Sequence, residues 1–109
     1  MTNYRKGYVY IKDIFAGIIE ENENGYRFVY DDNYYSDSKS TPVSLTMTLK
    51  NKQYESKTLF SFFDGLIPEG WLLNQVSTNW KLNIEDRFGI LLVSCNDSVG
   101  AVSISEEKS

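Results

Sequence analysis

The chain has 109 residues, 24% of them charged, with 15 acidic side chains against 11 basic ones and a net charge of -4. That length is one domain (residues 1–109) with a single modest core, and the acidic balance without any Lys/Arg run argues against a direct nucleic-acid role. No apolar run reaches spanning length and no charged-then-apolar leader is present, so the expectation is a chain neither held in a membrane nor exported.

Residues 7–12 (Gly-Tyr-Val-Tyr-Ile-Lys) alternate as a half-buried strand does, and Asp13 marks a turn. Residues 15–21 supply a second strand, bent at Gly17. The clearest local signal is Asn22-Glu-Asn-Gly25. An Asn-Gly pair between two β-rich runs favours a hairpin, because both residues tolerate positive φ. Residues 26–30 return as a third strand, with Tyr26, Phe28 and Tyr30 on one face and Arg27 and Val29 on the other. Together these form a three-stranded meander. Residues 31–41 are polar and read as a loop with room for one helical turn at Tyr34-Tyr35, whose rings lid the core. After Pro42, residues 43–49 alternate strictly. Val43, Leu45, Met47 and Leu49 fall on one face of a predicted fourth strand, and residues 50–57 form a polar connection.

The second half turns helical. Leu59, Phe62, Phe63 and Leu66 lie at i, i+3, i+4, i+7. Gly65 weakens that helix, and Pro68 removes a donor and pushes Ile67 out of the helical region. Glu69 suits the first turn of a new helix, where a carboxylate meets the positive dipole end. Trp71, Leu72, Gln75 and Val76 continue it to about Trp80, and Lys81 and Asn83 end it. Trp71 therefore sits just behind a proline-glycine corner. It has two readings: a core or half-buried tryptophan, or an anchor for a partner, with Leu72 and Leu73 serving the core instead. Residues 84–95 predict a further helix with Ile84, Phe88, Leu91, Leu92 and Cys95 on one face. Asn83 suits its N-cap, and Glu85 and Asp86 its first turn. Asn96-Asp-Ser98 makes a turn, residues 99–104 close as a last strand, and residues 106–109 are a charged tail. The predicted class is α+β: an antiparallel sheet, meander plus later strands, with about three helices packed on one face.

Chemistry-bearing constellations are scarce. Histidine is absent and cysteine occurs once, which removes the usual neutral-pH base, the commonest metal ligand and any thiolate zinc site. Cys95 cannot form an internal disulfide and points to a reducing, cytoplasmic compartment. It reads as a small buried hydrophobe, since no neighbour would lower its pKa. No phosphate-binding glycine loop or kinase catalytic signature is present. Glu20, Glu21 and Glu23 cluster, as do Asp31, Asp32 and Asp37. Paired carboxylates serve glycosidic chemistry or calcium, but these flank a hairpin turn and a polar loop and read as solvated surface. The sequence predicts no catalytic, cofactor-binding or metal-binding residues.

Five stretches in order resemble one known module: Phe28-Val-Tyr30, the alternating run 42–49, residues 62–70 (Phe-Phe-Asp-Gly-Leu-Ile-Pro-Glu-Gly), residues 86–92 (Asp-Arg-Phe-Gly-Ile-Leu-Leu) and Gly100-Ala-Val102. They resemble the N-terminal subdomain of HipA-type serine/threonine kinases, from about Tyr8 to Ile104. The signature Leu-Leu-Pro-Glu-Gly stands here as Leu66-Ile-Pro-Glu-Gly70, with Ile67 in place of a leucine. A HipA kinase continues well beyond this module, whereas this sequence stops at Ser109, so it looks like the free-standing HipS proteins of tripartite HipBST toxin–antitoxin systems. That resemblance implies a non-enzymatic antitoxin, acting by protein–protein contact on a HipT/HipA-like serine/threonine kinase. It further implies a HipB-like DNA-binding protein in the same complex. The corner residues Ile67, Pro68, Glu69, Gly70 and Trp71 are the expected partner contacts. Two alternatives stay open: a structural subdomain that supports a HipA-type kinase, and an unrelated small enzyme or ligand-binding module using the acidic loop.

Overall fold

The meander expected at the N-terminus forms the middle of the sheet. The computed structural model describes residues 4–67, 70–81, 83, 85–94 and 102–106. Strands β1 (Lys6–Ile11), β2 (Ile14–Asn22) and β3 (Gly25–Tyr30) pair antiparallel in sequence order. Strand β4 (Gln53–Ser56) joins the free edge of β3 and β5 (Val102–Ser105) that of β1, giving five strands in the order β4-β3-β2-β1-β5. Helices α1 (Asp32–Ser36), α2 (Ser61–Asp64), α3 (Gly70–Trp80) and α4 (Arg87–Ser94) complete the α+β fold. Among the described residues no helix is long and apolar enough to cross a membrane. Pro68, Glu69, Ile84, Cys95, the turn at 96–98 and residues 99–101 of the expected last strand lie outside the described residues, as do the side chains of Trp71, Leu72 and Val76.

Local chemistry sets both hairpins. Ile11 pairs with Ile14 across a turn whose central residues, Lys12 and Asp13, both have positive φ (51° and 67°). This is the backbone twist that two-residue hairpins favour. The register slips between Val9 and Tyr10, leaving Ala16 as the extra residue on β2, next to Gly17 where a bend was expected. The second hairpin pairs Asn22 with Gly25 around Glu23-Asn24. Here only Gly25 takes positive φ (138°), and Asn22 Oδ1 accepts the Asn24 amide at 2.8 Å. The expected hairpin forms, and the side-chain turn from Asn22 lets Asn24 keep a negative φ.

One sheet face builds the core. Val9, Ile11, Ala16, Ile19, Phe28, Tyr30 and Ile104 meet Tyr34 of α1, Phe63 of α2, and Phe88, Ile90, Leu91 and Leu92 of α4 in a single cluster. Each fully buried phenylalanine there contributes ~2–3 kcal/mol by transfer. On the opposite face Tyr8 and Tyr10 tilt against Phe15, with ring centres 6.0 and 5.6 Å apart.

The predicted fourth strand is not a strand. Residues 43–47 curl so that Val43 and Met47 are buried (5% and 2% exposed) while Leu45 is 94% exposed. The cause is Tyr30, whose hydroxyl accepts the Val43 amide at 2.9 Å and donates to the Met47 carbonyl. Ser44 Oγ accepts the Met47 amide at 3.1 Å, closing the curl. The edge strand forms instead within the expected polar connection. There Tyr54 faces inward opposite Phe28, and its hydroxyl donates to the Thr48 carbonyl at 2.7 Å.

Candidate functional site

The corner between α2 and α3 is built on a short helix. Phe60, at the N-cap of α2, makes no side-chain capping bond, so the helix gains little support of its own. The chain closes past Asp64 through amides donated by Gly65 to Ser61 (2.9 Å), Leu66 to Phe63 (3.0 Å) and Ile67 to Asp64 (3.2 Å). Phe63 and Ile67 are the buried pair, at 0% and 4% exposure, with Leu59, Phe60, Phe62 and Leu66 packed half-buried around them. Ile67, expected among the partner contacts, is thus part of the core, and it roots the corner. Gly70 and Trp71 begin α3, an eleven-residue helix that packs on α4 and ends at Lys81, where φ is 54°. The order of the two helices and the stop after Trp80 match the sequence reading, while the corner at Pro68 and Glu69 lies outside the described residues.

Two ion-pair systems tie α2 to α4 and the start of α4 to the sheet. Arg87, the first residue of α4, donates from Nε to Asp64 Oδ1 at 2.8 Å and reaches the Asp64 carbonyl at 3.5 Å. Arg5, just before β1, is a fork with two carboxylates in it. It donates to Asp86 from Nη1 (2.8 Å) and Nη2 (3.0 Å), and to Glu21 from Nε (2.8 Å) and Nη2 (3.3 Å). Its guanidinium carbon also lies 5.4 Å from the centre of the Phe88 ring. Bidentate pairing of this kind fixes geometry as well as adding energy. These side chains keep 20–44% of their exposure, so each pair adds on the order of 1 kcal/mol rather than more.

Asp86 has a second task. Its Oδ1 accepts the Gly89 amide at 3.2 Å and so caps α4. The Arg5 guanidinium, aided by that amide, holds its carboxyl below the usual carboxylate range despite partial burial. The reading of Asn83 as N-cap, with Glu85 and Asp86 inside the first turn, is therefore corrected. Asn83 Oδ1 accepts the Glu85 amide at 2.9 Å in a preceding turn, and the helix starts at Arg87. Gly89 leaves room for the node, since a Cβ there would press on the Asp86 carboxylate and come within 2.9 Å of Arg5 Nη1. Within the run 86–92, Asp86 caps, Arg87 ties down α2, Phe88 fills the core and Gly89 clears the space. Arg5 went unnoticed in the sequence because its partner lies 81 residues away.

Four residues of the acidic clusters, Glu20, Glu21, Asp31 and Asp32, are engaged in pairs and caps. Arg27 binds Glu20 at 2.9 Å, Arg5 holds Glu21, Lys52 pairs with Asp32, and Asp31 accepts the Asn33 and Tyr34 amides at the start of α1. Among the described residues no group of three or more potential ligands could hold a metal ion. A cleft of about 380 Å³ opens between the β1–β2 turn and the α1 loop, walled by Ile11, Ile14, Phe15 and Tyr34. Asp31, Asp37, Lys39 and Ser40 line its polar side, and it shares no residue with the corner.

Comparison with known proteins agrees with this architecture. A family model described as the HipA N-terminal domain matches residues 7–105. An uncharacterised protein of Haemophilus influenzae is 34% identical over 104 residues, covering 95% of this chain and 94% of that protein. The solved N-terminal domain of HipA toxin superposes with a TM-score of 0.72 at 26% identity, over 100% of this chain and 98% of that one. The chain belongs to the HipA N-terminal domain family.

Proposed function

We propose that this chain is a non-catalytic antitoxin of the HipS kind, which binds a HipT/HipA-type serine/threonine kinase and restrains it. The observation that carries the reading is the extent of the family match. The domain spans residues 7–105 here, and the Haemophilus influenzae relative is covered over 94% of its own length. The family thus includes a protein with no room for a kinase body, and such a unit acts on a kinase only as a separate partner. The proposed contact is Pro68, Glu69, Gly70 and Trp71, with buried Ile67 as their root in the core and Arg87 bracing Asp64 of the preceding helix. A pre-braced corner loses little entropy on binding. Trp71 is the largest apolar residue of that set, and Glu69 offers a charge to a basic residue of the kinase. The reading carries with it a cytoplasmic location and a HipB-like DNA-binding member of the same complex.

Likeness to the N-terminal domain of HipA toxin favours a second reading, in which the chain completes and supports the kinase. Co-expression with the HipT-like kinase encoded beside it separates the two. A stable complex with suppressed toxicity supports inhibition, and a complex with enhanced kinase activity supports the second reading. Failure to co-purify, or undiminished toxicity, sinks the antitoxin proposal. The isolated chain should also give no saturable heat when titrated with Mg-ATP.

A further inference from the structure

We infer that the loop between α1 and β4 is a second docking element, presenting Leu45 as a knob to an uncharged apolar pocket on the proposed kinase partner. The loop runs over residues 37–52 without helix or strand; irregular connections of such length are uncommon in compact domains and are either functional or disordered, and this one is tied down. Four tyrosine hydroxyls hold its backbone. Tyr30 donates to the Met47 carbonyl, Tyr34 to Thr41 at 2.7 Å, Tyr54 to Thr48 at 2.7 Å and Tyr35 to Lys50 at 3.3 Å. Tyr30 also accepts the Val43 amide at 2.9 Å, and Val43 and Met47 anchor the curl from inside.

Leu45 stands outside all of this at 94% exposure. A single exposed leucine on a loose surface is ordinary. One held at the crest of a loop stapled by four tyrosines is pre-organised, and its exposure contributes nothing to the fold. The surroundings select the occupant. From Ser40 to Leu49 no residue is charged, in a chain where 24% are. Ser44 and Thr46 flank the leucine, with their hydroxyls 3.3 Å apart. Depletion of charge around an apolar centre, with neutral hydrogen-bonding groups at its rim, is the composition of a protein–protein contact. A polyanion or an anionic membrane would need cations that this stretch lacks.

This inference rests on the kinase-binding reading, and the test separates the two. Affinity of wild type, Leu45→Asp and Leu45→Ala for the purified kinase is measured by calorimetry, alongside the melting temperature of each protein alone. All three should melt together, because Leu45 touches little. Full burial of a leucine predicts that Leu45→Ala binds about ten- to fifty-fold more weakly, and Leu45→Asp a hundred-fold or more. Both variants binding within two-fold of wild type overturns the knob while leaving the kinase reading intact, and no binding by wild type overturns both. Sedimentation of the chain alone gives the remaining outcome. A wild-type dimer that Leu45→Asp makes monomeric would assign the knob to a second copy and also overturn the inference.

Discussion

Replacing Tyr30 with phenylalanine isolates the bond that converts a strand-like sequence into a curl. The ring would stay where it is, edge-on to Phe28 at 4.8 Å and stacked on Tyr34 at 6.1 Å, so the apolar contribution is unchanged. What disappears is the hydroxyl shared by the Val43 amide and the Met47 carbonyl. Burial raises the pKa of that hydroxyl above its ordinary 10, more than the Val43 amide lowers it, so it remains protonated at neutral pH. A buried group left without a partner costs ~1–3 kcal/mol. Two are left here, but the loop is able to lift and let water in, which holds the total to ~2–3 kcal/mol. At roughly 4 °C per kcal/mol for a domain of this size, the melting temperature should fall by ~8–12 °C. Tyr34→Phe is the control, since its single bond to the Thr41 carbonyl is only partly buried and should cost ~0.5–1.5 kcal/mol. Thermal and urea unfolding give the stabilities, and hydrogen exchange at the Val43 amide reports the loop directly. A Tyr30→Phe protein within ~0.5 kcal/mol of wild type, with Val43 still protected, would refute the clamp.

Asp86→Asn keeps the cap but removes the charge facing Arg5, and at pH 7 it should cost ~1 kcal/mol, discounted for partial exposure. Because the folded carboxyl titrates below its ordinary 3.8, its contribution is complete above that value and is lost as pH falls through the folded pKa; the wild-type and variant stability curves should therefore begin to approach one another only below about pH 4 and meet once the pH is below the folded pKa. A double-mutant cycle of Asp64→Ala with Arg87→Ala should give a coupling of ~0.5–1 kcal/mol in urea unfolding, and strictly additive losses would show that the pair does not brace the corner. Trp71→Ala should melt close to wild type yet lose ~2–4 kcal/mol of kinase affinity and its neutralising effect. An unfolded variant would make Trp71 a core residue, and a folded, fully protective one would move the contact elsewhere.

The strands of the meander were legible because their causes are local. A two-residue side-chain period and the Asn22-to-Gly25 turn act within a few residues of one another, and neither needs a distant partner. The two helices that follow, Ser61–Asp64 and Gly70–Trp80, were legible for the same reason: apolar spacing over one or two turns needs no distant partner. Alternation over residues 43–49, by contrast, records only which side chains are apolar. It could not say that Tyr30 would offer one hydroxyl to both Val43 and Met47, which favours burial of those two and expulsion of Leu45 over an extended run. The start of α4 was misjudged likewise, because Asn83 and Asp86 are both able caps and the choice is made by Arg5, from the other end of the sequence. Nor does any local pattern place β5 beside β1, since a strand's own residues specify its faces but not its neighbour. The amino-acid sequence by itself determined the elements whose hydrogen bonds and turns close within a few residues. Tertiary structure alone decided the curl, the cap and the edges of the sheet, where a polar group's partner lies far along the chain and burial makes that partner obligatory.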